Sequence, residues 1–284
     1  MTYTKEKDDF SVKVFIDCTN ERIKVLDYKG PSIPFLADYL NYLAQENGFG
    51  KIVLVAREGD WDNFISRGYI LEGFIKNYFR GENGYCLSRF FGMERRISPA
   101  IEEEDEILQK ILAHPVNSSL KEIHRDYRLR QGTAEDIPML VDLFTSVFPS
   151  YPTPLNRPEY LEQVIGEKAY FMVIEHHGRI ISAASGEINH DHLAAEITDC
   201  ATLPNYRGQG LMSYLVQALE KELGDMHIRT FYSLSRARSY GINLVFHRLG
   251  YVFSGRLINN CDIMGQFEDM NLWVKPAEEN KHFH

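Results

Sequence analysis

The stretch Ala194-Ala195-Glu196-Ile197-Thr198-Asp199-Cys200-Ala201-Thr202-Leu203-Pro204-Asn205-Tyr206-Arg207-Gly208-Gln209-Gly210-Leu211-Met212 decides the fold. Its first half reads as a buried strand, which Pro204 stops. Two glycines then lead into a helix predicted over Leu211 to Leu223, where Leu211, Leu215, Leu219 and Leu223 form one stripe with Met212 and Val216 beside it. Gly224 is expected to close that helix in the left-handed conformation. A glycine loop opening into a helix presents unpaired N–H groups and the positive end of the helix dipole, which suits a phosphate or pyrophosphate. Glycine at 208 and 210 lets the backbone approach such an anion without a side chain intervening. The loop has no Gly-Lys-Ser/Thr ending and no Gly-x-Gly-x-x-Gly run, so neither common nucleotide fingerprint fits it.

Working outward, 284 residues are long for one domain and comfortable for two. A hydrophobic content of 44% with 12% aromatic residues predicts packed cores. The net charge of −9 argues against a nucleic-acid or acidic-membrane partner and favours cationic substrates. Cys18, Cys86, Cys200 and Cys261 are scattered, with no Cys-x-x-Cys pair, and read as reduced core residues of a cytoplasmic protein. The start, Met1 to Asp9, is polar and has no signal-peptide pattern, and no apolar run is long enough for a membrane span. His176, His177, His190 and His192 sit at predicted turns without ligand spacing, so they read as exposed turn residues and no metal is expected.

Residue by residue, Arg207-Gly208-Gln209-Gly210-Leu211-Met212 resembles the coenzyme A pyrophosphate loop of the GNAT superfamily of N-acetyltransferases, Gln/Arg-x-x-Gly-x-Gly/Ala. Met212 departs from it, standing where a small residue is usual; Thr202-Leu203-Pro204-Asn205-Tyr206 fits the same family. The resemblance implies an α/β (α+β) fold with a mixed, mostly antiparallel sheet flanked by helices. It implies acetyl-coenzyme A as cofactor, held by Ala201, Thr202 and Leu203, by the loop from Arg207 to Met212, and by Asn243 at the pantetheine. The family's frequent general base falls at Glu196, while Asp199 lies nearer the thioester and could hold the amine instead. Their offset of three puts them on opposite faces of a regular strand, so either a bulge intervenes or only one serves the site. Glu187, Glu268 and Asp269 are second-rank acidic candidates. Phe246 stands where the family often has a Tyr that protonates the departing thiolate, leaving Tyr240 as the nearest acid and His247 as another.

The chain also resembles the β-lysine N-acetyltransferases over both halves, including Leu203 to Met212 and Ser235-Arg236-Ala237-Arg238-Ser239-Tyr240-Gly241-Ile242-Asn243. That resemblance implies a small-molecule amine acceptor, a zwitterionic diamino acid, acetylated on its side-chain amine by direct attack in a ternary complex. A carboxylate-binding arginine is then needed, and Arg236 or Arg238 is the candidate. Tyr151, in the Pro- and Tyr-rich loop from Phe148 to Pro158, falls where the family covers the acceptor. Polyamine or protein-lysine acetylation is a neighbouring reading, and a non-catalytic acyl-coenzyme A sensor is one of another class. Whether the chain is a homodimer stays open.

Residues 1–125 are expected to form an N-terminal α/β domain, 126–276 the acetyltransferase domain and 277–284 a frayed tail. Phe64-x-x-x-Gly68-Tyr69-x-x-x-Gly73 echoes Phe246-x-x-x-Gly250-Tyr251-x-x-x-Gly255, each after a strand and a short helix. The N-terminal domain therefore reads as a degenerate copy of the family's half-fold without the glycine loop. Helices are expected over Ile33 to Glu46 and from Thr133-Ala134-Glu135-Asp136 onward, the latter with a capping-box start. Arg95-Arg96 and Glu102 to Glu106 read as a solvated stretch linking the halves.

Overall fold

A strand–helix–strand pattern is laid down twice along the chain. The computed structural model describes residues 1–120, 122–148 and 153–275. They fall into two units, Met1–Ile101 with Ser254–Met270, and Glu102–Phe253 with Asn271 onward.

The first unit runs β1 (Thr2–Glu6), β2 (Ser11–Asp17), β3 (Arg22–Lys29), α1 (Ile33–Glu46), β4 (Lys51–Ala56), α2 (Trp61–Ser66), β5 (Ile70–Phe79), β6 (Glu82–Phe90) and α3 (Met93–Arg96). The strands lie in the order β1-β2-β3-β4-β6-β5. Helix α1 buries Ile33, Leu36, Ala37, Leu40 and Ala44, the spacing of a single apolar stripe, against Val12, Val14, Ile23 and Ile52 of the strands. The polar start of the chain, for which no element was expected, pairs antiparallel with β2 from Thr2 to Glu6. Exposed and charged, it blunts the sheet edge, so its apolar pattern is weak.

The second unit runs α4 (Ile101–Leu112), β7 (Tyr127–Gln131), α5 (Ile137–Val147), α6 (Pro158–Val164), β8 (Ala169–His176), β9 (Arg179–Asn189), β10 (Ala194–Thr202), α7 (Leu211–Asp225), β11 (Thr230–Arg236), α8 (Tyr240–Arg248), β12 (Val252–Ile263) and β13 (Gln266–Val274). Residues 254–270 of the last two strands belong to the first unit. The strand order is β13-β11-β10-β9-β8-β7. Strands β7, β8, β9 and β10 pair antiparallel, and β10 pairs with β11 parallel, so the fold is the mixed, mostly antiparallel α/β (α+β) sheet flanked by helices. Helix α7 lies so close on β9 that a Cβ on Gly186 would sit 2.5 Å from the Leu223 Cδ1, which explains the glycine there.

Three local expectations need correcting. Gly224 does not cap α7; the helix continues to Asp225, and His227 takes the left-handed conformation at φ +67°. The Ile228 N–H reaches the Leu223 carbonyl at 3.0 Å and the His227 N–H the Gly224 carbonyl at 2.9 Å, a Schellman closure that buries Ile228 on Leu223. Pro158 does not prolong a loop but opens α6, because a proline in the first turn lacks only an N–H that would be unpaired anyway. His192 is buried and His176 half-buried, so these two are not exposed turn residues.

Candidate active site

Strands β10 and β11 pair at Ala194–Thr230, Ala195–Phe231 and Glu196–Tyr232. Both continue beyond that point, to Thr202 and Arg236, so they part and leave a splay. On its other side β10 stays paired with β9, but the register slips between Thr198 and Ala201. The slip is a bulge at Asp199 and Cys200, with Asp199 at φ +51°.

The bulge settles which carboxylates share a face. Ser185 and Glu187 are two apart on β9 and so lie on one side of the sheet. The Ser185 Oγ donates to the Asp199 Oδ2 at 2.7 Å, which turns Asp199 to that side. Glu187 stands opposite Glu196 in the ladder, placing both there as well. The opposite side is the one Gly186 and Ile197 present to α7. Tyr160 of α6 completes the group: burial, then the charges of Glu187 and Asp199, push its phenol pKa up. Like charges directly opposite on paired strands are destabilising by a few tenths to about 1 kcal/mol. A cation placed among them reverses that cost, so this face suits an ammonium group. Cys200 beside them keeps its proton, since burial and Asp199 both raise its thiol. It is not a thiolate nucleophile at neutral pH.

Past Thr202 a single 3-10 turn, Pro204–Tyr206, leads to Gly208 at φ +79° and Gly210 at φ +76°. Nothing lies within 4 Å of where either Cβ would be, so glycine is needed there for backbone conformation rather than for room within the protein. Gly210 is the N-cap of α7 and no side chain caps that helix; the Ser213 N–H donates to the Gly210 carbonyl at 3.0 Å, which leaves the N–H groups of Leu211 and Met212 at the helix end for a ligand. The Arg207 Nε donates to the Thr202 carbonyl at 3.1 Å and ties the base of the loop. The Tyr127 hydroxyl donates to the Gln209 Oε1 at 2.7 Å. Its ring packs edge-on to His176, whose Nδ1 is 3.1 Å from the Tyr206 hydroxyl. Met212 packs against the core, and the helix begins at Leu211 in spite of it. The loop, the helix end and the splay form a cradle that fits the pyrophosphate and arm of coenzyme A.

The remaining sequence-derived candidates are placed differently. Asn243 is fully buried. Its Nδ2 donates to the carbonyls of Arg236 and Ser239 at 2.8 and 2.7 Å. Its Oδ1 accepts from Ser235, Asn271 and Trp273 at 3.0, 3.0 and 2.7 Å. The amide is therefore committed to the core, joining the end of β11 to α8, and is not presented to a pantetheine. Phe246 is buried edge-on against Tyr251 at 5.0 Å. Tyr240 is exposed at the start of α8, its hydroxyl 2.7 Å from the His114 Nε2. The His247 Nε2 is 2.8 Å from the His114 carbonyl. Arg238 pairs with Glu103 at 3.0 Å, and Arg236 is exposed at the end of β11. Glu268 and Asp269 belong to the first unit, and Tyr151 lies outside the described residues. Sequence reasoning did not single out Tyr160, Ser185, Tyr127 or Tyr206. For Tyr160 a signal existed, since Pro158 two residues earlier is a helix-start residue.

Residues 137–251 match the family model described as Acetyltransferase (GNAT) family. The chain is 36% identical over 263 residues to N-acetyltransferase YodP of Bacillus subtilis (strain 168), covering 91% of this chain and 94% of that protein. It is 32% identical over 259 residues to the Beta-lysine N(6)-acetyltransferase of Methanococcus maripaludis, covering 91% and 94%. To the protein of that name from Methanosarcina mazei it is 35% identical over 260 residues, covering 84% and 96%. Among the described residues no helix is long and apolar enough to cross a membrane. Likeness over nearly the whole of three acetyltransferases joins the cradle and the acidic splay: the chain belongs to the GNAT family and is an acetyl-coenzyme A-dependent N-acetyltransferase.

Proposed function

We propose that the chain acetylates the side-chain amine of β-lysine, giving Nε-acetyl-β-lysine. The observation that carries this reading is the bulge that gathers Glu187, Glu196 and Asp199 on one face beside the strand splay. The choice of β-lysine is supported by the two relatives that bear that name. Acetyl-coenzyme A supplies the acetyl group as an activated thioester. In this reading Arg207 to Met212 and the start of α7 hold its pyrophosphate, and Ala201, Thr202 and Leu203 line its arm. A backbone N–H at the bulge, near Cys200, donates to the carbonyl oxygen as charge develops there.

A side-chain ammonium has a pKa of about 10 and must lose a proton before it can attack. Glu196 takes that proton, directly or through water. Asp199, held by Ser185 and beside Tyr160, orients the amine. Arg236, exposed at the end of β11, receives the acceptor's carboxylate, with Arg238 as the other candidate. Tyr240 returns a proton to the departing thiolate. A pure cofactor sensor has no use for three carboxylates on one face, which weighs against that alternative. Residues 126–276 are read as the catalytic domain and 1–125 as a copy without a cofactor loop. Four free cysteines and a net charge of −9 support a reducing, cytoplasmic setting and a cationic small molecule rather than nucleic acid.

Thiol release from acetyl-coenzyme A with β-lysine, α-lysine and spermidine offered separately tests the reading. Preference for β-lysine, lost in Arg236→Met through a raised KM for the amine, is the expected result. Faster turnover of spermidine would overturn the acceptor assignment.

A further inference from the structure

The glycine loop that leaves β10 is tied to the edge strand β7, three strands away in the sheet. Tyr127 opens β7 and stands opposite His176, the last residue of β8, in the antiparallel ladder. Side chains paired across a ladder lie on the same face, so both rings leave the sheet on one side. They meet edge-on there, at 5.0 Å and 85°. The Tyr206 ring, in the turn before the loop, closes a triangle at 5.6 Å from His176 and 6.3 Å from Tyr127, again edge-on to each.

Two polar contacts join this cluster to the loop. At the near end the Tyr206 hydroxyl lies 3.1 Å from the His176 Nδ1, and at the far end the Tyr127 hydroxyl donates to the Gln209 Oε1 at 2.7 Å. Gln209 stands between Gly208 and Gly210, both at positive φ and both with nothing within 4 Å of where a Cβ would be. Arg207 to Gly210 are exposed, so packing does not fix this segment. Glycine has more backbone freedom to lose than any other residue. An anion that must order two glycines around itself therefore binds more weakly than one that meets a loop already shaped. The Tyr127 hydroxyl supplies a fixed point between the two. It also orients the Gln209 amide: with Oε1 occupied, what the side chain has left to offer a ligand is its Nε2 donor, which suits an anion.

We propose that Tyr127 is a positioning residue for the cofactor. Its hydroxyl holds the Gln209 side chain, and with it the middle of the glycine loop, in the shape that receives the pyrophosphate. It acts through Gln209 on the affinity for the coenzyme and leaves the transfer step alone. This rests on the reading that Arg207 to Met212 hold the pyrophosphate.

Calorimetric titration of the full chain with coenzyme A tests this through a double-mutant cycle. Tyr127→Phe keeps the ring in its cluster and removes only the hydroxyl. The Kd should rise about three- to tenfold, the worth of one hydrogen bond. Gln209→Ala should raise it as well, and Tyr127→Phe added to Gln209→Ala should raise it no further, because the two side chains act as one contact. In the thiol-release assay Tyr127→Phe should raise the KM for acetyl-coenzyme A and leave kcat unchanged. An unchanged Kd in Tyr127→Phe, full additivity with Gln209→Ala, or a lowered kcat would each overturn the proposal. Gly210→Val separates that failure from failure of the loop reading. A Kd raised in Gly210→Val but not in Tyr127→Phe would sink the positioning role alone. A Kd unchanged in both would sink the loop as the coenzyme site.

Discussion

The halves β3-α1-β4-α2-β5-β6 and β10-α7-β11-α8-β12-β13 repeat one element order, and their agreement is local as well as topological. The Phe64 and Tyr69 rings meet at 5.2 Å and 68°, those of Phe246 and Tyr251 at 5.0 Å and 67°. Gly68 and Gly250 sit at φ +82° and +84°. Each parallel pair holds for three positions, Arg22–Lys51 to Lys24–Val53 in one and Ala194–Thr230 to Glu196–Tyr232 in the other. Strand β3 even carries a register slip, where Lys13 faces Asp27 and Val14 faces Val25. Counting from the paired positions, Asp27 is the counterpart of Asp199 and Lys24 of Glu196. The slip in β3 falls at Leu26, one position before the counterpart of Asp199, and Asp27 itself pairs with Lys13. A slip near this point is common to both strands, while the grouped carboxylates are particular to the second unit. In the first unit Lys24 reverses one charge and Arg57 neutralises Asp27 at 3.2 Å. The loop is lost too. Pro34 removes an N–H from the first turn of α1, and a Cβ on Gly30 would sit 2.5 Å from the Asp9 carbonyl oxygen.

The largest effect expected from this contrast is on turnover. Glu196→Gln and Asp199→Asn should each lower kcat by about 10²–10⁴, the usual worth of a positioned acid–base group, with the KM for acetyl-coenzyme A unchanged. Asp27→Asn, at the matching position, should leave kcat alone. A loss in Asp27→Asn comparable to that in Asp199→Asn would break the comparison. Next comes the loop. Gly210→Val forces a β-branched residue to φ +76° at a strain of about 1–3 kcal/mol and obstructs the anion. The KM for acetyl-coenzyme A should rise about 10- to 100-fold, and the strain should lower Tm by several °C. An unchanged KM would show that the loop does not hold the cofactor.

The third expectation concerns pH. Burial outweighs Glu72 and lowers the Lys51 pKa to about 8, against 10.5 in a free chain. Between those values the unfolded chain binds more protons than the folded one, so this group's contribution to stability rises with pH from about 8 to 10.5. Its counterpart Thr230 carries no charge. Urea unfolding of wild type against the double variant Lys51→Met, Glu72→Gln should show a difference that grows across that window. A flat difference would mean that Lys51 stays protonated throughout it.

Most of the fold was legible because periodicity and punctuation agree. Helix α1 spans Ile33–Glu46, where its apolar stripe places it, and α5 follows the capping-box start at Thr133. The glycine loop was legible because only glycine takes φ +79° and +76° without strain. What escaped depends on contacts distant in sequence. The bulge at Asp199 exists only in its register with β9, so no local pattern announces that Glu196 and Asp199 share a face. Arg95 reads as solvated beside Arg96, yet Gly50 and Phe267, far along the chain in either direction, enclose it. Asn243 sits on a helix where a ligand-binding amide was expected, and Trp273 and Asn271 at the chain's end claim it for the core.

The smallest effect should come from the residue that spans the end of the β3–β4 pair. Buried Tyr28, near the end of β3, accepts a hydrogen bond from the Arg57 N–H just past β4 and donates one to the Asp60 Oδ2, both at 2.9 Å. It thus links two strand ends whose counterparts in the second unit are parted. Tyr28→Phe keeps the ring on Phe64 but strands a backbone donor, which should cost about 1–2 kcal/mol of stability. Denaturant midpoints would register that loss, while kcat and both KM values should stay at wild-type levels. If Tyr28→Phe instead raised the KM for acetyl-coenzyme A, the first unit would be taking part in cofactor binding. The division of labour between the two copies would then be wrong, although their shared fold would stand.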